Sequence, residues 1–132
     1  MNIIKQFIAG FIATIVFHQG AVLIGYTIGV LPHAPYNTTP TEPFGIPSIL
    51  SISFFGGLWG IVIWQIVKRF SNAKLWAASF LFGGVLLTAV AAAVVFPLKG
   101  IDVSVAGFLI GVVLNGLWGV GNTLFIKLFK AK

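Results

Sequence analysis

The sequence predicts an all-α fold, a four-helix transmembrane bundle, and three observations carry that prediction. Hydrophobic residues make up 58% of the 132 residues and charged residues only 8%, whereas a soluble chain carries roughly a quarter charged residues. Four apolar runs, residues 7–31, 47–67, 75–96 and 103–129, each reach the roughly 20 residues that a helix needs to cross a bilayer core. Seven of the eight basic residues fall on one side of these runs. Alternating segments of about ten residues, the mark of transmembrane strands, are absent. The four spans take up nearly the whole chain, so residues 1–132 read as one integral membrane domain with no separate soluble domain.

The first run follows Lys5 and resembles a signal peptide in that respect only. It is too long for a signal-peptide core, and no small-x-small cleavage site ends it, so it reads as a retained span. His18 and Gln19 lie at its centre, where polar groups are costly. On a helical wheel at about 100° per residue, Gly10, Thr14, His18, Ala21, Gly25 and Gly29 share one face. The connection over residues 32–46 carries Pro32, Pro35, Pro40 and Pro43. Proline blocks helix formation, so this loop is expected to be extended and stiff. Pro47 suits the first turn of the second span. Asn37-Thr38-Thr39 is a glycosylation sequon that matters only in a eukaryotic secretory pathway.

The second span groups Ser53, Gly56, Gly57, Gly60 and Trp64 on one face. The third groups Ala77, Gly84, Thr88 and Ala91. The fourth groups Ser104, Gly107, Gly111, Asn115, Trp118 and Asn122. The pairs Gly25/Gly29, Gly56/Gly60 and Gly107/Gly111 have the spacing at which helices pack closely in lipid. Tyr26, Tyr36 and Trp76 fall where interfacial aromatic belts occur. Asp102 is expected at the N-terminus of the fourth span, with Lys99 near enough to pair with it.

Lys5, Lys68, Arg69, Lys74, Lys127, Lys130 and Lys132 gather on one side, which the positive-inside rule makes cytoplasmic, with both termini there. The net charge of +6 is thereby accounted for by orientation and anionic lipid, with no nucleic acid partner. Gly57-Leu58-Trp59-Gly60 recurs as Gly116-Leu117-Trp118-Gly119, and Gly10 and Thr14 are spaced like Gly84 and Thr88. These matches, at offsets of 59 and 74 residues, are consistent with a tandem repeat of two helical hairpins.

The chemistry must centre on His18. It lies about as far into its span as Asn115 does into the fourth, and a hydrogen bond between them would satisfy both at about 1 kcal/mol. Gln19 is a second candidate partner, aimed about 100° away on the wheel, and Thr88 is close to the same level. A midplane histidine also suits a proton-coupled pathway, with His18, Gln19, Asn115, Thr14, Thr88 and Asn122 as its candidate residues. Haem ligation would need His18 from each of two protomers, because His33 lies in the loop. With no cysteine, thiolate metal sites and iron–sulfur clusters are excluded. Neither a nucleophile–base pair nor a phosphate loop is found, so no enzyme activity, metal or cofactor is expected.

In size and span number the chain resembles small multidrug exporters, but His18 stands in a first span that lacks their glutamate. It resembles small fluoride channels in length, without their polar and phenylalanine motifs. His18-Gln19-Gly20, Pro43-Phe44-Gly45-Ile46-Pro47 and Gly56-Gly57-Leu58-Trp59-Gly60 resemble a small, uncharacterised family of bacterial inner-membrane proteins. That likeness covers the first half of the chain and implies the compartment but no activity. The expected function is an oligomeric transporter or channel with a polar site near the midplane. The alternative is a non-catalytic accessory or assembly subunit of a larger membrane complex. Four helices leave little room inside, so a homo-oligomer is expected to form any pathway between protomers.

Overall fold

A computed structural model describes residues 2–42 and 44–130. Pro43, with the family likeness it carried, and Lys132 lie outside them. The described chain is an all-α, multi-pass membrane protein with four helices long and apolar enough to cross a bilayer. They are α1 (Ile3–Thr27), α2 (Ser48–Val67), α3 (Asn72–Leu98) and α4 (Val105–Lys130).

Both ends of α1 and the starts of α2 and α4 have local causes. α1 starts earlier than the apolar run because the Asn2 side chain accepts the N–H of Lys5 at 2.9 Å, capping a first turn that includes polar residues. It ends before Gly29, whose φ of +83° lets the chain reverse. There Val30 N–H reaches Gly25 O at 2.8 Å and Gly29 N–H reaches Tyr26 O at 3.1 Å, the double closure that satisfies terminal carbonyls. The first N–H groups of α2 are taken by the loop: Ser48 donates to Thr39 O and Ile49 to Asn37 O. At α4 the Ser104 hydroxyl accepts the N–H of Gly107 at 2.9 Å. Ser104 is therefore the cap, and Asp102 precedes it instead of serving as one. Lys99 and Asp102 make no ion pair.

The residue 32–46 loop is not extended. Pro40–Thr41 (β1) pairs antiparallel with Ile46–Pro47 (β2), and Tyr36 adopts a positive φ of 58°. Far from joining an interfacial belt, Tyr36 turns back along α1. Its backbone N–H donates to Gln19 and its hydroxyl to the carbonyl of Ile15. Gln19 lies eight residues before the end of α1 at Thr27, about 12 Å down the helix axis. Irregular backbone at such depth is tolerated where protein or a water-filled cavity satisfies it.

The helices pack in the order α2, α1, α4, α3, and α2 meets α3 chiefly along residues 72–86. The buried apolar core sits in the half nearest the basic residues, where Ala9, Ala13, Ile63, Val67, Trp118 and Ile126 are almost fully buried. In the other half, the loop end, α2 and α3 part. Outward-facing Ile8, Ile24, Phe54, Val62 and Leu81 are exposed in the chain, as lipid-facing side chains should be.

The hairpin contacts recur. Phe7 packs on Gly57 as Phe80 packs on Gly116, and the Gly10 backbone meets Gly60 as the Gly83 backbone meets Gly119. In the first hairpin Thr14 abuts Gly56; in the second Thr88 hydrogen-bonds Asn115. The offset from α1 to α3 is 73 residues up to Gly83 and 74 at Thr88. A π turn at Phe82–Leu86 accounts for the added residue. The sequence match of Gly10 to Gly84 is therefore one position out: Gly83 is its counterpart.

The glycines singled out for packing divide in three ways. Gly56 and Gly60 lie against the backbone of Gly10, and Gly111 lies against Thr88. Gly25 instead meets Leu31 of its own chain end, and Gly107 meets only Ser104. Gly29 has nothing beside it and serves as the helix stop.

Candidate functional site

α1 is interrupted by a π turn at Thr14–His18. Thr14 promotes it locally, since its hydroxyl donates to the Gly10 carbonyl at 2.9 Å and so competes with the backbone ladder. Widened turns of this kind are frequent at functional sites. Here the turn brings the side chains of His18 and Gln19 within reach of each other although they are sequence neighbours.

The result is a relay with a defined direction. Tyr36 N–H donates to Gln19 Oε1 at 2.8 Å. An amide N–H can only donate, so the oxygen of the Gln19 amide is fixed toward Tyr36 and its nitrogen toward His18. That nitrogen lies 3.1 Å from His18 Nδ1. Nδ1 therefore accepts, and the ring proton sits on Nε2. His18 does not pair with Asn115. Asn115 Nδ2 donates instead to Thr88 Oγ1 at 2.9 Å, because the hairpin that joins α3 and α4 presents Thr88 first.

His18 and Asn115 still share one space. A cavity of about 690 Å³ lies between α2 and α3 in the loop-end half. Thr14, His18, Asn115 and Trp118 line its deep end, Ser51, Phe55 and Trp59 the α2 wall, and Val90 and Val95 the α3 wall. Thr41 and Glu42 of the loop and Lys99 at the end of α3 line its mouth. Two of the three π turns, Thr14–His18 and Ala91–Val95, contribute lining residues. The room that four helices were expected to lack is thus present in a single chain, because α2 and α3 diverge.

Of the residues predicted to form a pathway, Thr14, His18 and Asn115 line the cavity. Gln19 and Thr88 are buried and hold His18 and Asn115 from behind. Asn122 lies below the deep end, fully buried, donating from Nδ2 to Gly60 O at 3.2 Å while its Oδ1 has no partner. The floor between cavity and basic end is closed. Trp118 is 1% exposed, and its indole N–H donates to Gly10 O at 3.1 Å. The Ser79 and Thr123 hydroxyls bond to each other beneath it.

Sequence reasoning missed Glu42, Lys99 and Ser51 as lining residues, whereas Trp59 and Trp118, two of the tryptophans that could line a pocket by their positions, do so. The available signal was position: Lys99 is the one basic residue away from the basic end, and Glu42 is the loop's one acid. A second cavity, of about 420 Å³ between α1 and α4, is lined by Ile24, Leu109, Val113 and other apolar residues and offers no chemistry. Among the described residues no three His, Cys, Asp or Glu side chains cluster as a metal site would require.

Comparison with protein-family models, curated proteins and solved structures gives no match. The functional reading therefore rests on the geometry of the cavity itself.

Proposed function

We propose that this protein is a small carrier of the bacterial inner membrane, with its basic end and both termini in the cytoplasm. The observation that carries this reading is a cavity open at one end and closed at the other. It leads from the loop end, taken as the outer face, to a polar deep end at His18 and Asn115, and stops at the layer sealed by Trp118 and Gly10. A channel needs a continuous passage, whereas a carrier exposes its site to one side at a time. The internal repeat supplies a route to closure. At the α1–α4 seam Trp118 is docked on Gly10. The equivalent tryptophan at the α2–α3 seam, Trp59, still lines the open cavity, opposite the helix that bears Gly83. Moving α2 onto α3 would dock Trp59 as Trp118 is docked and empty the cavity. Because one chain builds the whole cavity, a homo-oligomer would pack complete units and need not share a site.

The natural absence of cysteine makes the test direct. In oriented vesicles, a membrane-impermeant thiol reagent applied outside should label Ser51→Cys and Asn115→Cys but leave Thr123→Cys unmodified. From the cytoplasmic side it should reach Asn115→Cys slowly and Ser51→Cys not at all. Failure ever to reach Asn115→Cys from the cytoplasmic side would rule out a carrier. The cleft between α2 and α3 also supports a second reading, an accessory subunit seating a partner's helix there. In that case Ser51→Cys would be shielded in native membranes and become reactive only after purification.

A further inference from the structure

Two kinds of surface border the cavity. At the mouth, Glu42 on the α2 side and Lys99 on the α3 side both line it, and neither makes an ion pair with the other or with any other described residue. Laterally, α2 and α3 meet chiefly along residues 72–86. Beyond that stretch, where α2 and α3 part, the apolar Ile52, Phe55, Val90 and Val95 line the cavity. Between these apolar edges, polar groups descend from Glu42 and Lys99 past Ser51 to the Nε2–H of His18 and the Asn115 amide.

A ligand must match all of these. A wholly polar solute would leave the apolar edges with nothing to bury. A wholly apolar one would strip water from Glu42, Lys99 and His18 without replacing its hydrogen bonds, which costs several kcal/mol on the order of each group. A molecule with a charged head and an apolar tail satisfies both, and the unpaired opposite charges at the mouth ask for a head that carries both signs. The cavity, at about 690 Å³, has room for a headgroup and glycerol, leaving acyl chains to the cleft and the bilayer.

We infer that the ligand is a zwitterionic glycerophospholipid of the phosphoethanolamine type, entering sideways from the outer leaflet. Its ammonium pairs with Glu42 and its phosphate with Lys99 at entry. The phosphate oxygens accept from His18 Nε2–H at the deep end, while the acyl chains remain between α2 and α3. The inference rests on reading this cavity as the carrier's binding site.

The test uses the full chain in nanodiscs of phosphatidylglycerol with a trace of phosphatidylethanolamine bearing a photoactivatable group on its acyl chain. Adducts should map to residues 51–59 and 87–98, and unlabelled phosphatidylethanolamine should compete better than phosphatidylglycerol. Glu42→Gln and Lys99→Gln, at solvent-facing positions that leave the fold intact, should each reduce labelling about threefold, as expected for loss of a partly solvated ion pair. Adducts spread evenly over all four helices would overturn the inference, as would equal competition by phosphatidylglycerol. Full competition by soluble glycerophosphoethanolamine would also overturn it, assigning the site to a free headgroup. Localised labelling without cytoplasmic access to Asn115→Cys would keep the lipid and remove the carrier. Two-sided access with even labelling would do the reverse.

Discussion

Gln19 donates its side-chain N–H to His18 Nδ1 across 3.1 Å, and the same amide is held by the backbone of Tyr36, which lies on the loop. The loop at the mouth of the cavity is thereby coupled to the one titratable group deep in α1. Protonating Nδ1 would set two donors against each other, so a change in His18 requires a change in Gln19 and in the seat of Tyr36.

The tautomer follows from this relay and can be measured. Nitrogen NMR of the imidazole should show Nε2 protonated and Nδ1 bare. Gln19→Glu puts an acceptor where the donor stood and should transfer the proton to Nδ1. Gln19→Ala leaves both Nδ1 and the Tyr36 N–H without a partner and should cost about 1–3 kcal/mol of stability, read in a thermal unfolding series.

Close approach of α1 and α2 depends on Gly10 and Gly60. A Cβ at Gly10 would run into the carbonyl oxygen of Gly56, and one at Gly60 would stand 2.9 Å from the Gly10 Cα. Both neighbours are backbone and cannot rotate away. Gly10→Ala should therefore destabilise by about 1–3 kcal/mol. Gly20 has nothing within 4 Å, so Gly20→Ala should leave the melting temperature unchanged or raise it slightly.

The two tryptophans of the repeat should respond differently. Trp118→Phe removes the bond to Gly10 O, worth about 0.6 kcal/mol as an interhelical hydrogen bond in a membrane, and leaves part of a fully buried site empty, so it should cost about 1–3 kcal/mol in all. Trp59→Phe removes no hydrogen bond from a side chain that is only partly buried, and should cost less than Trp118→Phe in the same measurement. If Trp59 docks in the inward state, the same substitution should slow cytoplasmic labelling of Asn115→Cys.

Asn122 offers a test of polarity in the packed half. Its Oδ1 is buried without a partner, so replacing the amide with a near-isosteric apolar group removes one bond and one orphan together. Asn122→Leu should change stability by no more than about 1 kcal/mol. Asn122→Asp, which buries a charge in the same place, should destabilise by several times that, on the order of 3 kcal/mol or more.

Composition and periodicity alone determine that this chain makes four membrane-crossing helices, because apolar length and the scarcity of charge leave no other way to satisfy the backbone. They also bring out the Gly-rich seams and the repeat of GLWG, since those depend on residues close in sequence and on one helical period. The partner of His18 is another matter. A straight helix aims Gln19 away from it, and only the π turn at Thr14–His18 brings the two together. A one-residue widening leaves no clear mark in an apolar sequence. The same applies to Gly83, displaced by one from the position that sequence spacing assigns it. Tertiary structure alone decided that α2 and α3 part at the loop end, and so decided that a cavity exists. That divergence is a balance of packing between helices far apart in sequence. It brings Glu42, Lys99, Ser51 and Trp59, scattered over residues 42–99, to the space that His18 faces.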